Sequence, residues 1–195
     1  MSLKLTDHWG IDGTILRFPD KMYFVYSCFS PRGLQSLCIA PMNSPTSIGA
    51  YKILSEPTLS WETVDTPVNE GAAAMYHGGK TFLAYSASFC WTSSYQLGLL
   101  TYKGSGDPTE ASSWTKTGPN FSSANGNYGT GHNGFFQSPD GTEIWNVYHA
   151  TPNSAGACDG NRYTAAKKVN WNADGSPNFG TAERLGTIIA GPSGE

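Results

Sequence analysis

Short apolar and aromatic runs, each about the length of a strand, alternate with turn sequences along the whole chain. Three stretches, residues 11–27, 69–86 and 131–150, share one plan. Each has a polar residue at or near its start, continues into an apolar run, turns at Pro-Asp, His-Gly-Gly or Pro-Asp-Gly, and ends in an aromatic-rich run. Such turns join the two strands of a hairpin. The pattern therefore predicts three β-hairpins in an all-β protein.

The hairpins recur at a nearly constant interval. Tyr26, Tyr85 and Tyr148 close the second strand of each hairpin and are separated by roughly 60 residues. A third apolar run follows each hairpin, and a fourth strand is predicted near Trp61, Trp114 or Leu185. Four-stranded units that repeat with such a period are typical of propeller blades.

The repeat predicts the domain organisation. Residues 1–195 are expected to form a single partial β-propeller domain, with antiparallel blades at approximately 8–66, 67–127 and 128–195. No linker or low-complexity segment divides them.

A polar residue leads each repeat: Asp12, Glu70 and His132. The innermost strand of each blade faces the central channel, so these three side chains are expected to converge. Two carboxylates and an imidazole in one place can divide acid, base and binding roles. The ordinary alternatives are turn carboxylates bonded to nearby amides and a histidine that belongs to the core.

Composition narrows the class of protein. The chain has 195 residues, of which 23 are glycine, 12 are proline and only 14% are charged. This composition is typical of a turn-rich β protein. A net charge of −3 without a basic run argues against nucleic acid or an anionic membrane as a partner. No apolar stretch reaches the length of a membrane span, and the first residues lack signal-peptide features. The protein is therefore expected to be either cytosolic or a protein whose leader has been removed.

The cysteines and three of the histidines allow more than one reading. Cys28, Cys38, Cys90 and Cys158 lack zinc-site spacing, so disulfides and free buried thiols both stay open. Asn120 begins a glycosylation sequon, which matters only in a secretory context. The remaining histidines have no partner at ligand spacing and are interpreted as structural: His8, His77 and His149.

Four motifs together resemble glycoside hydrolase family 43. They are WGIDGT at 9–14, VNEGAAAMYHGGKTFLAYSAS at 68–88, GTGHNGFFQSPDG at 129–141 and YHATPNSAGACDGNR at 148–162. The stretch SASFCWTSSYQLGLL at 86–100 is similar to the secreted branch that acts on α-L-arabinofuranosyl linkages. The resemblance implies a five-bladed β-propeller of which this chain holds the last three blades, and a secreted parent protein.

The resemblance also implies roles for single residues. Glu70 would be the general acid that protonates the leaving glycosidic oxygen, and Asp12 the carboxylate that orients Glu70 and favours its protonated form by like-charge repulsion. His132 would face the channel and contact water or an axial cation such as calcium, with no cofactor required. Arg162 would reach the sugar hydroxyls, although an ion pair with Asp159 would also explain an arginine at this position.

Two aromatic residues are further candidates for sugar contact. Trp9 and Trp91 could stack on sugar rings, and core packing explains them equally well.

One part of the family pattern is missing. Inverting members use a third carboxylate to activate water, and in the family this aspartate lies on the first blade, which has no counterpart here. No other acidic residue is a convincing substitute. A three-blade wedge would also leave two apolar faces open, so self-association or association with a missing N-terminal part is expected.

Two functions are consistent with the sequence. The first is a glycosidase that hydrolyses α-L-arabinofuranosyl linkages of plant cell-wall polysaccharide with inversion, or a β-xylosidase of the same family. The second is a catalytically incomplete propeller that binds arabinose-containing carbohydrate without turning it over.

Overall fold

A computed structural model describes residues 4–195 as three antiparallel sheets followed by a small hairpin. Each sheet is one blade, and its first strand lies innermost, beside the first strands of the other sheets. The all-β prediction is confirmed. The described residues contain two short 3₁₀ helices, Ser60–Glu62 and Ala111–Ser113, and no helix among them is long and apolar enough to cross a membrane.

The first blade has five strands. The order β1-β2-β3-β4 follows the chain, and β5 also pairs with β3, on the edge opposite β2. The fourth strand of this blade was expected near Trp61, which is wrong, because Trp61 lies in a 3₁₀ helix where its ring packs beside Tyr85 of the second blade. The bounds are Gly10–Arg17 (β1), Met22–Phe29 (β2), Gln35–Ser44 (β3), Ser47–Ile48 (β4) and Lys52–Ser55 (β5).

The second blade is the four-stranded meander that the sequence predicts. Its strands pair in chain order, and its outer strand begins at Trp114, as expected. The bounds are Asn69–His77 (β6), Lys80–Ala87 (β7), Gln96–Tyr102 (β8) and Trp114–Phe121 (β9).

The third blade has three strands, and the fourth strand expected near Leu185 is wrong. The chain passes this edge, but the carbonyls of Ala182 and Glu183 accept hydrogen bonds from the side-chain amides of Asn125 and Asn127. Within the described residues, no strand follows Asn178. The bounds are Tyr128–Gln137 (β10), Ile144–Thr151 (β11), Tyr163–Lys168 (β12), and, in the final hairpin, Asn170–Trp171 (β13) and Pro177–Asn178 (β14).

Two apolar cores hold the blades together. Alternate residues of each strand point to opposite faces, so each blade presents one apolar face to each neighbour. The core between the first and second blades includes Leu16, Val25, Leu37, Ile39, Leu83, Tyr85 and Trp114. The core between the second and third blades includes Met75, Phe82, Leu97, Phe121, Tyr148 and Phe179.

All four cysteines form disulfides. Cys28–Cys38 links β2 to β3 within the first blade, and Cys90–Cys158 links a loop of the second blade to a loop of the third. The two readings left open by the sequence are thereby decided in favour of disulfides.

Candidate active site

Each of the three innermost strands contains a β-bulge at the same level. Pairing is interrupted between Ile11 and Thr14 in β1, between Glu70 and Ala73 in β6, and between Gly131 and Gly134 in β10. Such bulges re-aim side chains and occur frequently beside active sites. The described part of the chain thus brings three irregular inner strands to one place in the channel.

In the structure, the second repeat is shifted by one residue relative to the alignment predicted from the sequence. Left-handed backbone occurs at Asp12 (φ 56°), Gly71 (φ 58°) and His132 (φ 49°). Register also places Glu70 opposite Ser86, as Ile11 lies opposite Ser27. The structural counterpart of Asp12 and His132 is therefore Gly71, and Glu70 lies one position earlier in its bulge.

Asp12 and His132 meet across the channel. The Asp12 Oδ1 atom lies 3.7 Å from His132 Nε2, and Ser27 Oγ donates to Asp12 Oδ2 at 3.4 Å. The His132 backbone N–H donates to Ser86 Oγ at 2.6 Å, which fixes the bulge of β10 to β7. Both residues line a cleft of about 510 Å³, here named the channel cleft.

Glu70 is held by two hydrogen bonds. Gln35 Nε2 donates to Oε2 at 2.7 Å, and the Tyr95 hydroxyl donates to Oε1 at 2.8 Å. The same hydroxyl lies 3.2 Å from His132 Nδ1. A continuous polar chain therefore connects Glu70, Tyr95, His132 and Asp12, which brings the two predicted carboxylates and the predicted histidine into one network.

Two glycines make room for this network. A Cβ on Gly71 would lie 3.2 Å from the ring of His132, and one on Gly131 would lie 2.5 Å from Cε1 of Tyr95. Any larger residue would displace a ring of the network.

Arg162 lies in a second cleft beside His132. Its Nη1 is 3.3 Å from His149 Nε2, and its Nε donates to the backbone carbonyl of Asp159 at 3.0 Å. No ion pair with the Asp159 carboxylate is present. His132, His149, Asp159 and Arg162 line this cleft of about 470 Å³, here named the arginine cleft.

His149, which the sequence indicates to be structural, lies beside the candidate site and lines the arginine cleft. Its ring stacks on Tyr95 with centroids 5.5 Å apart. Burial, followed by the charges of Arg162 and His132, lowers the pKa of His149 to about 4. The imidazole is therefore neutral near neutral pH and can accept from the guanidinium of Arg162. The other two histidines interpreted as structural lie outside both clefts. His8 contacts the Tyr26 hydroxyl at 2.8 Å, and His77 stacks on Trp171.

The two tryptophan candidates line neither cleft. Trp9 is 44% exposed and packs against Phe29 with centroids 4.7 Å apart. Trp91 is 52% exposed and follows Cys90, which is bonded to Cys158 near the arginine cleft. Their contact with sugar stays a prediction.

The side chains at the channel do not by themselves form a calcium site. Ca²⁺ takes roughly six to eight oxygen ligands. Within residues 4–195, no group of three or more His, Cys, Asp or Glu side chains could hold a metal ion, and Asp12 supplies the only carboxylate that lines the channel cleft. We therefore assign no step to a metal.

Sequence reasoning missed Tyr95, Gln35 and His149. Gln35 and Tyr95 reach Glu70 from β3 and from the loop before β8. Tyr95 opens the apolar run of β8, so the pattern alone assigns it to the core.

Comparisons with known proteins assign the chain to a family and agree with the all-β fold. The family model for glycosyl hydrolases family 43 matches residues 1–177, and the chain belongs to this family. An extracellular exo-α-(1→5)-L-arabinofuranosidase of Streptomyces avermitilis is 49% identical over 74% of this chain and 32% of its own length. The α-L-arabinofuranosidase 43 of Humicola insolens is 36% identical over 89% of this chain and 38% of its own length. The chain thus spans about a third of these relatives.

A solved structure extends the comparison to the fold. The crystal structure of an α-L-arabinofuranosidase from Lactobacillus brevis is 31% identical and superposes with a TM-score of 0.87. The match covers 96% of this chain and 61% of that chain.

Proposed function

We propose that this chain provides the general-acid half of an extracellular, inverting α-L-arabinofuranosidase. The observation that supports this most directly is the convergence of Glu70, Asp12 and His132 through Tyr95, in a chain 49% identical to a named arabinofuranosidase. The substrate would be an arabinose-containing oligosaccharide or polysaccharide. The relatives' names favour arabinofuranosides over xylosides.

In the proposed reaction, Glu70 gives its proton to the glycosidic oxygen as the bond from that oxygen to the anomeric carbon breaks. Asp12 and His132 fix the charge environment across the channel, and Arg162 binds sugar hydroxyls from the arginine cleft. Water attacks the opposite face of the sugar and must lose a proton to a base. Among the described carboxylates, only Asp12 and Asp159 line the two clefts, so we propose that the base comes from a further part of the protein.

The open side of the first blade supports association with that further part. Several large apolar side chains on or beside this blade are 42–49% exposed: Trp9, Ile11, Met22, Phe29 and Tyr51. Exposed apolar side chains in contact with one another mark interaction sites, and Trp9 and Phe29 pack against each other here. Analytical ultracentrifugation tests this proposal. Self-association of the chain would support an uncovered face, and a monomer at high concentration would count against it.

Azide tests the catalytic proposal, because azide attacks without a base. We would assay the chain on 4-nitrophenyl α-L-arabinofuranoside with and without azide. The expected result is little turnover in buffer and release of 4-nitrophenolate with azide, which forms the arabinofuranosyl azide of inverted configuration. Turnover in buffer that Asp159→Asn abolishes would instead identify Asp159 as the base.

The second candidate, a propeller that only binds carbohydrate, rests on the missing base. Arabinose-type ligand binding without azide-dependent turnover would favour it. The absence of both ligand binding and turnover would contradict both functions.

A further inference from the structure

The Tyr95 side chain is completely buried and joins Glu70 to the channel histidine. Its hydroxyl lies 2.8 Å from Glu70 Oε1 and 3.2 Å from His132 Nδ1. A tyrosine hydroxyl has one proton and can also accept. It can therefore donate to either neighbour, and it can accept from Glu70 when Oε1 carries a proton.

The two hydrogen-bond partners of Glu70 differ in whether they can accept a hydrogen bond as well as donate one. The amide nitrogen of Gln35, 2.7 Å from Oε2, can only donate and so bonds only to an oxygen without a proton. Tyr95 can bond Oε1 in both states. It donates to Oε1 when Glu70 is ionised, and it accepts from Oε1–H and donates to His132 Nδ1 when Glu70 is protonated.

We propose that Tyr95 is a positioning residue for Glu70, whose hydroxyl reverses its direction with the protonation state of the carboxyl group. This inference rests on the proposed function of Glu70 as the general acid. When substrate binds, the proton on Oε1 turns from Tyr95 to the glycosidic oxygen. After its transfer, the Tyr95 proton turns from His132 to the new carboxylate, so Glu70 stays in place throughout the cycle.

The surroundings keep Tyr95 protonated. Burial, followed by the charge of Glu70, raises the pKa of Tyr95 well above its ordinary value. The titratable or charged side chains around it are Glu70 on β6, Asp12 on β1, His132 on β10, His149 on β11 and, beyond His149, Arg162.

The chain contains a matched control. Tyr85 is also completely buried, and its hydroxyl donates to Glu62 Oε1 at the same distance of 2.8 Å. That pair lies in the core between the first and second blades, away from both clefts. Tyr85→Phe therefore removes an equivalent hydroxyl without touching Glu70.

The test is a ¹³C NMR titration of the glutamate carboxyl groups in the full chain, with Glu70→Gln to assign the Glu70 resonance. Tyr95→Phe should raise the titration midpoint of Glu70 by about one pH unit, because the charge-assisted hydrogen bond lost by the ionised form is stronger than the neutral one lost by the protonated form. Tyr85→Phe should leave that midpoint unchanged. An unchanged midpoint in folded Tyr95→Phe would overturn the proposal.

A measurement on the unaltered chain covers the case in which Tyr95→Phe does not fold. The Cζ resonance of Tyr95 should move with the Glu70 midpoint, and a Cζ resonance that does not respond would overturn the proposal. Both readouts are independent of turnover. Failure of the azide assay would therefore contradict the proposed function and not the role of Tyr95.

Discussion

The ammonium group of Lys116 lies 2.9 and 3.0 Å from the two carboxylate oxygens of Glu62, a side chain with no exposed surface. Burial raises the pKa of Glu62, but hydrogen bonds from the Leu59 backbone and from Lys116 outweigh it, and the net pKa is lowered. Lys116 also donates to the Glu56 carbonyl. The pair therefore ties the connection between the first two blades to the outer strand of the second.

Lys116→Met should destabilise the chain by about 3–5 kcal/mol, because it leaves the Glu62 charge buried without its partner. Urea denaturation measures the loss. The control is Lys168→Met, which breaks the more exposed pair with Glu143 and should cost far less than Lys116→Met. Equal losses in the two variants would contradict the assignment.

The same pair has a defined pH dependence. Because the folded pKa of Glu62 is lowered, the stability that it contributes is present above the ordinary glutamate value of 4.5 and is lost as the pH falls through the folded pKa. The difference in stability between wild type and Lys116→Met should therefore narrow in acid.

His149 should make the chain less stable in mild acid. Its folded pKa of about 4 lies below the ordinary value of 6.5, so between these values the unfolded state binds more protons and stability falls as the pH falls. The loss attributable to His149 is about 2 kcal/mol from about pH 7 to about pH 5. His149→Phe should flatten the dependence in that window. If the variant's stability depends on pH as steeply as that of the unaltered chain, another group causes the dependence.

The disulfide between Cys90 and Cys158 should affect sugar binding as well as stability. It closes a loop with a sequence separation of 68 and links the loop before Tyr95 to the loop before Arg162. Replacing both cysteines by serine should cost about 4 kcal/mol in the chain-entropy model and weaken arabinose binding measured by calorimetry.

The control for that prediction is the Cys28–Cys38 disulfide, with a separation of 10 and a position in the first blade. Its removal should cost about 3 kcal/mol and leave arabinose affinity unchanged. A similar effect of both replacements on affinity would contradict a local role for Cys90–Cys158.

The hairpins and the residues at the head of each repeat were predictable from the sequence, because alternation and turn chemistry are local signals. The one-residue offset of Glu70 was not, since the sequence alignment matches polar residues, and only the strand register shows that Glu70 and Asp12 occupy different positions of their bulges. Near Leu185, the carbonyls of Ala182 and Glu183 accept from the side-chain amides of Asn125 and Asn127, and partners so distant in sequence leave no local pattern.

The partners of Glu70 were hidden for a similar reason. Gln35 and Tyr95 come from different blades and have no fixed spacing from Glu70. Only packing brings them together. His149 lacks ligand spacing, and its low pKa arises from burial between Tyr95 and Arg162, which the sequence does not encode locally.

The most direct test of Glu70 as the general acid compares two leaving groups in the azide reaction. The rates of the chain and of Glu70→Gln would be measured on phenyl and on 4-nitrophenyl α-L-arabinofuranoside, since the poorer phenolate needs protonation and the activated one hardly does. We expect Glu70→Gln to reduce the rate on the phenyl substrate by about 10²–10⁴-fold, with a much smaller loss on the 4-nitrophenyl substrate. The same loss on both substrates would contradict the assignment of Glu70 as the proton donor.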